Sequence, residues 1–294
     1  MINSKKWGGK NLFSKVIYLV PALALMAIFF LGPVLLTVYY SFTNMAITGS
    51  AAANFQFVGL SNYIKMFSDK ALLTSVINTV VFLLGCLVGQ TLLGFFLALL
   101  MKNKRKGFRR VVGAIVLAGW VMPEIVCAIC MYSFFTGEGT LNVILGLFGI
   151  EEIAWLYEYP MLSIIIANVW HGTAFSMMVY QSALDDVPAE IEESARLDGA
   201  NSIQNLFYII LPTIRNTIMT NTMLITLMTL GVFGLIFAMT SGGPGTATTT
   251  LPLFMYFRAF KNYDLGYGTA ISMILLVLGV FFGVFYTRVA SKEK

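Results

Sequence analysis

The sequence predicts an all-α, polytopic membrane protein with six transmembrane helices, and three observations predict it. Of 294 residues, 58% are hydrophobic and 11% charged, with a mean hydropathy of +0.80, a balance foreign to ordinary soluble domains. Apolar runs recur that are each long enough to cross a hydrocarbon layer of about 30 Å as a helix. Lys and Arg gather in the connections expected on one side. One connection, 185–212, breaks that pattern by being acidic, and the rest of the chain is organised around it.

Span one covers about Val16 to Phe42 and carries Pro21 and Pro33, tolerable in a packed membrane helix. Lys5, Lys6, Lys10 and Lys15 ahead of it look like the basic region of a signal peptide. The apolar run nevertheless extends to about Tyr40 with no convincing small-residue cleavage site, so an uncleaved first span is expected. Residues 43–70 form a polar connection with aromatic interface anchors, Phe57-Val58-Gly59-Leu60-Ser61-Asn62-Tyr63 and then Phe67 and Asp69. Span two, about Leu72 to Met101, opens with Asn78-Thr79 and ends at Lys102-Asn103-Lys104-Arg105-Lys106-Gly107-Phe108-Arg109-Arg110. Between two spans such a basic run is a topology determinant facing cytoplasm and anionic lipid, and no nucleic acid is expected as a partner.

Span three, about Val111 to Phe135, contains Pro123-Glu124. A carboxylate this deep must face protein, water or a partner charge, so a place on a substrate path and a purely hydrogen-bonded role both stay open. Residues 136–160 hold Glu138, Glu151, Glu152 and Glu158 without Lys or Arg, and a short amphipathic helix is expected at about Leu141 to Phe148. Span four, about Met161 to Leu184, includes Asn168-Val169-Trp170-His171-Gly172-Thr173-Ala174-Phe175, polar enough to mark a packed or wet interior. His171, the only histidine, is expected to pack or donate a hydrogen bond. Span five runs from about Asn216 to Thr240, and an external segment follows from Gly242-Gly243-Pro244 to Gly268. Span six covers about Thr269 to Val289. Cys86, Cys127 and Cys130 lie in apolar spans, and their C-x-x-C lacks the context for redox or metal chemistry.

With both termini inside, the cytoplasmic side holds Lys5, Lys6, Lys10, Lys15, the basic run of 102–110, Arg196, Arg215, Arg288, Lys292 and Lys294. The external side holds only Lys65, Lys70, Arg258 and Lys261. The positive-inside bias therefore places the acidic connection in the cytoplasm.

That connection reads as two short helices. Asp185 and Asp186 offer capping oxygens, Pro188 suits a first turn, and Glu190, Glu192 and Glu193 sit near a positive dipole end, which gives a helix from about Pro188 to Asp198. Gly199 supplies a reversal, and Ser202 is placed to cap a second helix with Ile203, Leu206, Phe207 and Ile210 on one face. Pro212 marks the entry to span five. The helix pattern alone fits both a knob for a socket on another protein and an amphipathic pair resting on lipid.

Individual residues favour the knob. Glu193-Ser194-Ala195, then Asp198-Gly199-Ala200, then Ile209-x-Leu211-Pro212 resembles the signature loop of the inner-membrane permeases of binding-protein-dependent ATP-binding-cassette importers, with Ser194 where an alanine is usual. The Phe-x-Gly-Leu-x-Asn-Tyr run from Phe57 to Tyr63 and the later Gly-Gly-Pro and Gly-Tyr-Gly elements resemble the maltose and glycerol-phosphate class. The resemblance implies a type I importer permease fold over 1–294 as a single transmembrane domain, with 185–212 as a cytoplasmic coupling loop. It implies a second permease subunit, expected as a different chain, two ATP-binding cassette subunits, and an extracytoplasmic solute-binding protein that delivers a sugar. Glu193, Ser194, Ala195, Asp198, Gly199, Ala200, Leu211 and Pro212 would couple to the ATPase.

The substrate path by the same resemblance runs through Asn168, Trp170, His171, Gly172 and Phe175 in span four, with Phe175 replacing a tyrosine. In span five it passes Ile225, Met228, Thr229 and Val232, while Glu124 of span three is a candidate for the path on the separate ground that a carboxylate so deep needs protein, water or a charge beside it. Helix packing remains an open reading for these positions. The chain itself shows no nucleotide site: Gly9-Lys10 is followed by Asn11 and lacks the earlier glycine of a P-loop. Transport without catalysis in this chain is therefore expected, with ATP and Mg on the partner ATPase and no cofactor here. A bacterial or archaeal cytoplasmic membrane is the expected location. Uptake of glycerol phosphate or another small polar solute, or an ion-coupled secondary transporter, are the alternatives.

Overall fold

The computed structural model describes residues 10–291, with side chains from 18 to 289. Lys5, Lys6, Lys292 and Lys294, and the side chains of Lys10 and Lys15, lie outside them. In order, α1 (Lys10–Met26) passes through a π turn into α2 (Gly32–Ser41), followed by α3 (Ser61–Ser68), α4 (Lys70–Lys102), α5 (Lys106–Val121), α6 (Glu124–Phe135) and α7 (Thr140–Gly146). Then come α8 (Pro160–Asp185), α9 (Ala189–Leu197), α10 (Ser202–Asn205), α11 (Arg215–Leu230), α12 (Gly234–Thr240), α13 (Leu251–Tyr256) and α14 (Leu265–Ser291). Among the described residues the only β pairing is two isolated bridges.

Four helices are long and apolar enough to cross a membrane alone: Tyr18–Ser41, α4, α8 and most of α14. The two remaining spans are broken. Span three bends by 99° between α5 and the α6–α7 segment, and span five by 51° between α11 and α12. Both breaks fall inside the segments expected as spans, Val111 to Phe135 and Asn216 to Thr240. Pro123 explains the first break: it has no N–H and forces Met122 to φ −58°, ψ 132°, outside the helical region. The second falls at Gly231-Val232-Phe233, where a glycine and a β-branched residue weaken the helix and Phe233 leaves helical geometry at φ −129°.

The described residues fold as two compact units, one of the chain up to Ser68 with 257–273, the other of 69–256 with the chain from Ile274 on. In the first, Asn62 donates to the carbonyls of Ser41 at 2.9 Å and Thr43 at 2.8 Å, and Tyr63 meets Ser41 Oγ at 2.7 Å. These bonds account for the Asn-Tyr pair noted in the sequence. Gly266 passes so close to the Thr43 carbonyl that a Cβ there would collide. Residues 43–70, expected as a plain connection, therefore include the ordered helix α3.

The core of the second unit is the pairing of α4 with α8. Cβ atoms built on Gly85, Gly89 and Gly94 would stand 2.8 Å from Ile165, 2.5 Å from Val169 and 2.5 Å from Ser176. Glycine alone lets the two backbones approach this closely, the small-residue packing that membrane helices use in place of a hydrophobic drive. Below this seam Ala98, Met101, Met177, Tyr180, Leu184, Val187, Ile210 and Ile214 form one buried cluster. The segment after span five, expected as an external connection, contains α13, whose Leu251, Leu253 and Phe254 are buried. The amide of Leu251 donates to Thr79 Oγ1 at 2.8 Å.

Candidate functional site

The acidic connection is a fastened elbow. Helix α9 ends in a Schellman closure: the amide of Gly199 bonds the carbonyl of Arg196 and that of Ala200 the carbonyl of Ala195 at 2.9 Å, with Gly199 at φ +85°. The N-caps differ from expectation. Asp185 closes α8 instead of capping α9, and Pro188 is the α9 N-cap, without a side-chain bond. Asn201, not Ser202, caps α10, in a reciprocal box with Gln204 at 2.8 Å in both directions. After α10 a π turn over Leu206–Ile210 adds a residue to the turn and rotates the predicted apolar face. Ile210 is buried as expected and Leu206 partly so, but Ile203 and Phe207 are exposed.

The carboxylates divide by direction. Glu192 turns inward to an ion pair with Lys102 of α4 and accepts from Asn205 Nδ2 at 3.2 Å. Asp185 pairs with Arg109 of α5. Asp186, Glu190, Glu193 and Asp198 face outward, as do Ser194 and Pro212, while Ala195 is buried and Ala200 and Leu211 are half-buried. Leu197 is 89% exposed, and Ile203, Phe207 and Tyr208 of the same connection are exposed too.

The second feature is a cavity of about 250 Å³ inside the second unit. It is lined by Gln90, Trp120, Glu124, Asn168, His171, Gly172, Phe175, Ile225, Met228, Thr229, Gly231 and Val232. Every span-four and span-five position expected on the path lines it, except Trp170. That ring is 47% exposed and lies against α5, where a Cβ on Gly119 would stand 3.7 Å from it. One residue's difference along a helix turns a side chain by about 100°, and here the indole of Trp170 goes to Gly119 while the His171 ring goes to the Met122 carbonyl and the cavity.

The breaks in spans three and five explain the polar groups here. Ending α5 at Val121 leaves the Met122 carbonyl without a helical partner, and His171 Nε2 bonds it at 3.2 Å. A carbonyl only accepts, so Nε2 carries the proton. Restarting span five at Gly234 leaves the first amides of α12 open, and Glu124 Oε1 accepts from the Leu235 amide at 3.1 Å. A carboxylate at a helix N-terminus is favourably placed. The Trp120 and Phe175 rings lie 5.6 Å apart, tilted by 31°, and Gln90 Nε2 donates to the Asn168 carbonyl at 3.2 Å. Gly172 makes room for that amide, since a Cβ there would overlap it.

Gln90 and Trp120 were not anticipated. Gln90 carried a signal, an amide in the middle of an apolar span. Trp120 carried none, because its direction depends on where α5 stops. Together the rings, amides and carboxylate offer flat apolar faces beside hydrogen-bonding groups, the lining that a polyhydroxylated ring requires.

Residues 90–294 match the family model described as binding-protein-dependent transport system inner membrane component. Among curated relatives, the trehalose/maltose transport system permease protein MalF of Thermococcus litoralis is 32% identical, covering 95% of this chain and 97% of its own length. The multiple sugar-binding transport system permease protein MsmF of Streptococcus mutans is 31% identical over 94% of each. The sulfoquinovosyl glycerol transport system permease protein SmoG of Agrobacterium fabrum is 30% identical over 93% of this chain and 89% of the relative. A solved bacterial ABC transporter involved in importing the acidic polysaccharide alginate superposes with a TM-score of 0.81 at 21% identity, covering 96% of each chain. That likeness establishes the type I importer permease fold.

Proposed function

Because the chain belongs to the family of binding-protein-dependent transport system inner membrane components, we propose that it is the membrane-spanning subunit of an ATP-driven importer of carbohydrates, oligosaccharides above all. It is a multi-pass transport subunit and not itself an enzyme. It pairs with a second, different permease chain to enclose the path, above two ATP-binding cassette subunits that hold ATP and Mg. An extracytoplasmic solute-binding protein delivers the sugar. Both termini and the 185–212 elbow face the cytoplasm of a bacterial or archaeal cell.

The observation that carries this reading is the build of the elbow. Its inner side is pinned to α4 and α5 by the Glu192–Lys102 and Asp185–Arg109 pairs, so a push on it moves membrane helices as a rigid body. Its outer side presents Glu193 and Asp198 among exposed apolar residues, a mixed surface that suits a cleft on another protein. Ala195 and Gly199 keep the bend tight, and Ala200, Leu211 and Pro212 carry it into span five. Sugar passes through the cavity, stacking on Trp120 and Phe175 while Asn168, Gln90, Thr229 and His171 take its hydroxyls.

The test is ATP-dependent sugar uptake into proteoliposomes holding the whole importer, with Gly199→Pro in the elbow. Proline fixes φ near −65° where +85° is needed, so uptake is expected to fall at least about tenfold while ATP hydrolysis continues. Full coupled uptake by a correctly assembled variant would overturn the docking role.

A further inference from the structure

Charge is distributed unevenly along the membrane helices. Every Asp, Glu, Lys and Arg of the described spans lies near an end of its span, apart from Glu124, which sits at the bend of span three. The same side chain lines the 250 Å³ cavity, and no Lys or Arg lines that cavity with it. One oxygen, Oε1, is held by the Leu235 amide. Oε2 takes no hydrogen bond among the described residues, and no cation pairs with the carboxylate there. The remaining wall consists of neutral acceptors and donors (Gln90, Asn168, Thr229), the Nε2-protonated His171, and apolar groups.

We infer that this cavity selects its saccharide by charge, admitting neutral and amino-bearing sugars and rejecting those that carry carboxylate, sulfonate or phosphate groups. This rests on the carbohydrate reading above and narrows it. A free carboxylate oxygen facing the cavity accepts hydrogen bonds from sugar hydroxyls and attracts an ammonium group. An anionic solute brought beside it meets like-charge repulsion, with no Arg or Lys of this chain's lining to offset it. Discrimination built from an unfavourable contact of this kind is a common source of specificity. It also weighs against the glycerol-phosphate alternative that the sequence left open.

The solute-binding protein has its own selectivity, so the test bypasses it. The permease pair with its ATPase subunits is placed in nanodiscs. Binding of maltotriose, the glucosamine trimer chitotriose and trigalacturonate is then measured by saturation-transfer NMR, for wild type and for Glu124→Gln. Glutamine keeps an oxygen for the Leu235 amide, so the bend stays tied. Wild type is expected to bind trigalacturonate at least about tenfold more weakly than the neutral or amino trimer. In Glu124→Gln that gap should close and the preference for chitotriose over maltotriose should disappear. Equal or better binding of trigalacturonate by wild type overturns the inference and leaves the carbohydrate reading intact, as does a gap that Glu124→Gln does not change. Failure of all three trimers to bind, in a complex that binds a non-sugar solute, removes the carbohydrate reading itself. Should Glu124→Gln fail to assemble, the wild-type order of the three trimers still decides.

Discussion

The unbroken pair α4 and α8 and the broken spans α5–α6 and α11–α12 solve one problem in opposite ways. In the pair, every interior backbone group is satisfied within its own helix, and the glycines Gly85, Gly89 and Gly94 let the surfaces close on each other with little space left. In the broken spans, Pro123 and the Gly231–Phe233 segment release a carbonyl and an amide inside the membrane region, where neither can stay bare. His171 and Glu124 satisfy them. The same two side chains line the cavity. Polar chemistry thus enters an otherwise apolar interior where the backbone requires a partner, and the groups that answer the backbone are also available to a solute.

The most severe way to break this contrast is on the unbroken side. Gly94→Leu drives a branched side chain into Ser176 and the Met177 amide, and should cost about 3 kcal/mol, read as a large drop in the thermal unfolding temperature of the purified subunit. Gly113→Ala is the control: nothing lies within 4 Å of a Cβ there, so it should be neutral or slightly stabilising. Equal stability of the two variants would mean that the seam is not closely packed. On the broken side, Glu124→Ala leaves the Leu235 amide without its acceptor and should cost about 2 kcal/mol in the same assay, most of it recovered by Glu124→Gln. If Ala and Gln behave alike, the carboxylate does not hold the bend. The smallest effect is expected from His171→Phe, about 1 kcal/mol, because only one carbonyl of the α5 end loses its donor. Its sharper readout is weakened maltotriose binding.

The elbow was legible in the sequence because its determinants are neighbours along the chain. Gly199 at a positive φ, the acids of α9 and Pro212 act within a few residues of each other, so spacing alone locates the reversal. The errors there were also local: a capping residue displaced by one position, and an apolar stripe rotated by a π turn that no residue pattern announced. The cavity was less legible. Its span-four residues follow from the sequence pattern, yet Trp170 fits that pattern without lining the cavity, and Trp120 and Gln90 line it without fitting, because each depends on which way a neighbouring helix faces. The helical nature of 251–256 was hidden by Pro252 and the threonines before it, and it is decided by the burial of Leu251, Leu253 and Phe254.

By itself, then, the amino-acid order determined the membrane character, the candidate spans, the unbroken helices α4, α8 and α14, and the bent acidic connection, since hydropathy, proline, glycine and charge act over short distances. Tertiary structure alone decided that Glu192 turns inward to Lys102 while Glu193 stays outside, that Glu124 and His171 tie up the two breaks, and that rings and amides from α4, α5 and α8 close around one cavity. Those outcomes depend on how closely α4 and α8 approach and on where α5 and α11 stop, and no single stretch of chain encodes either.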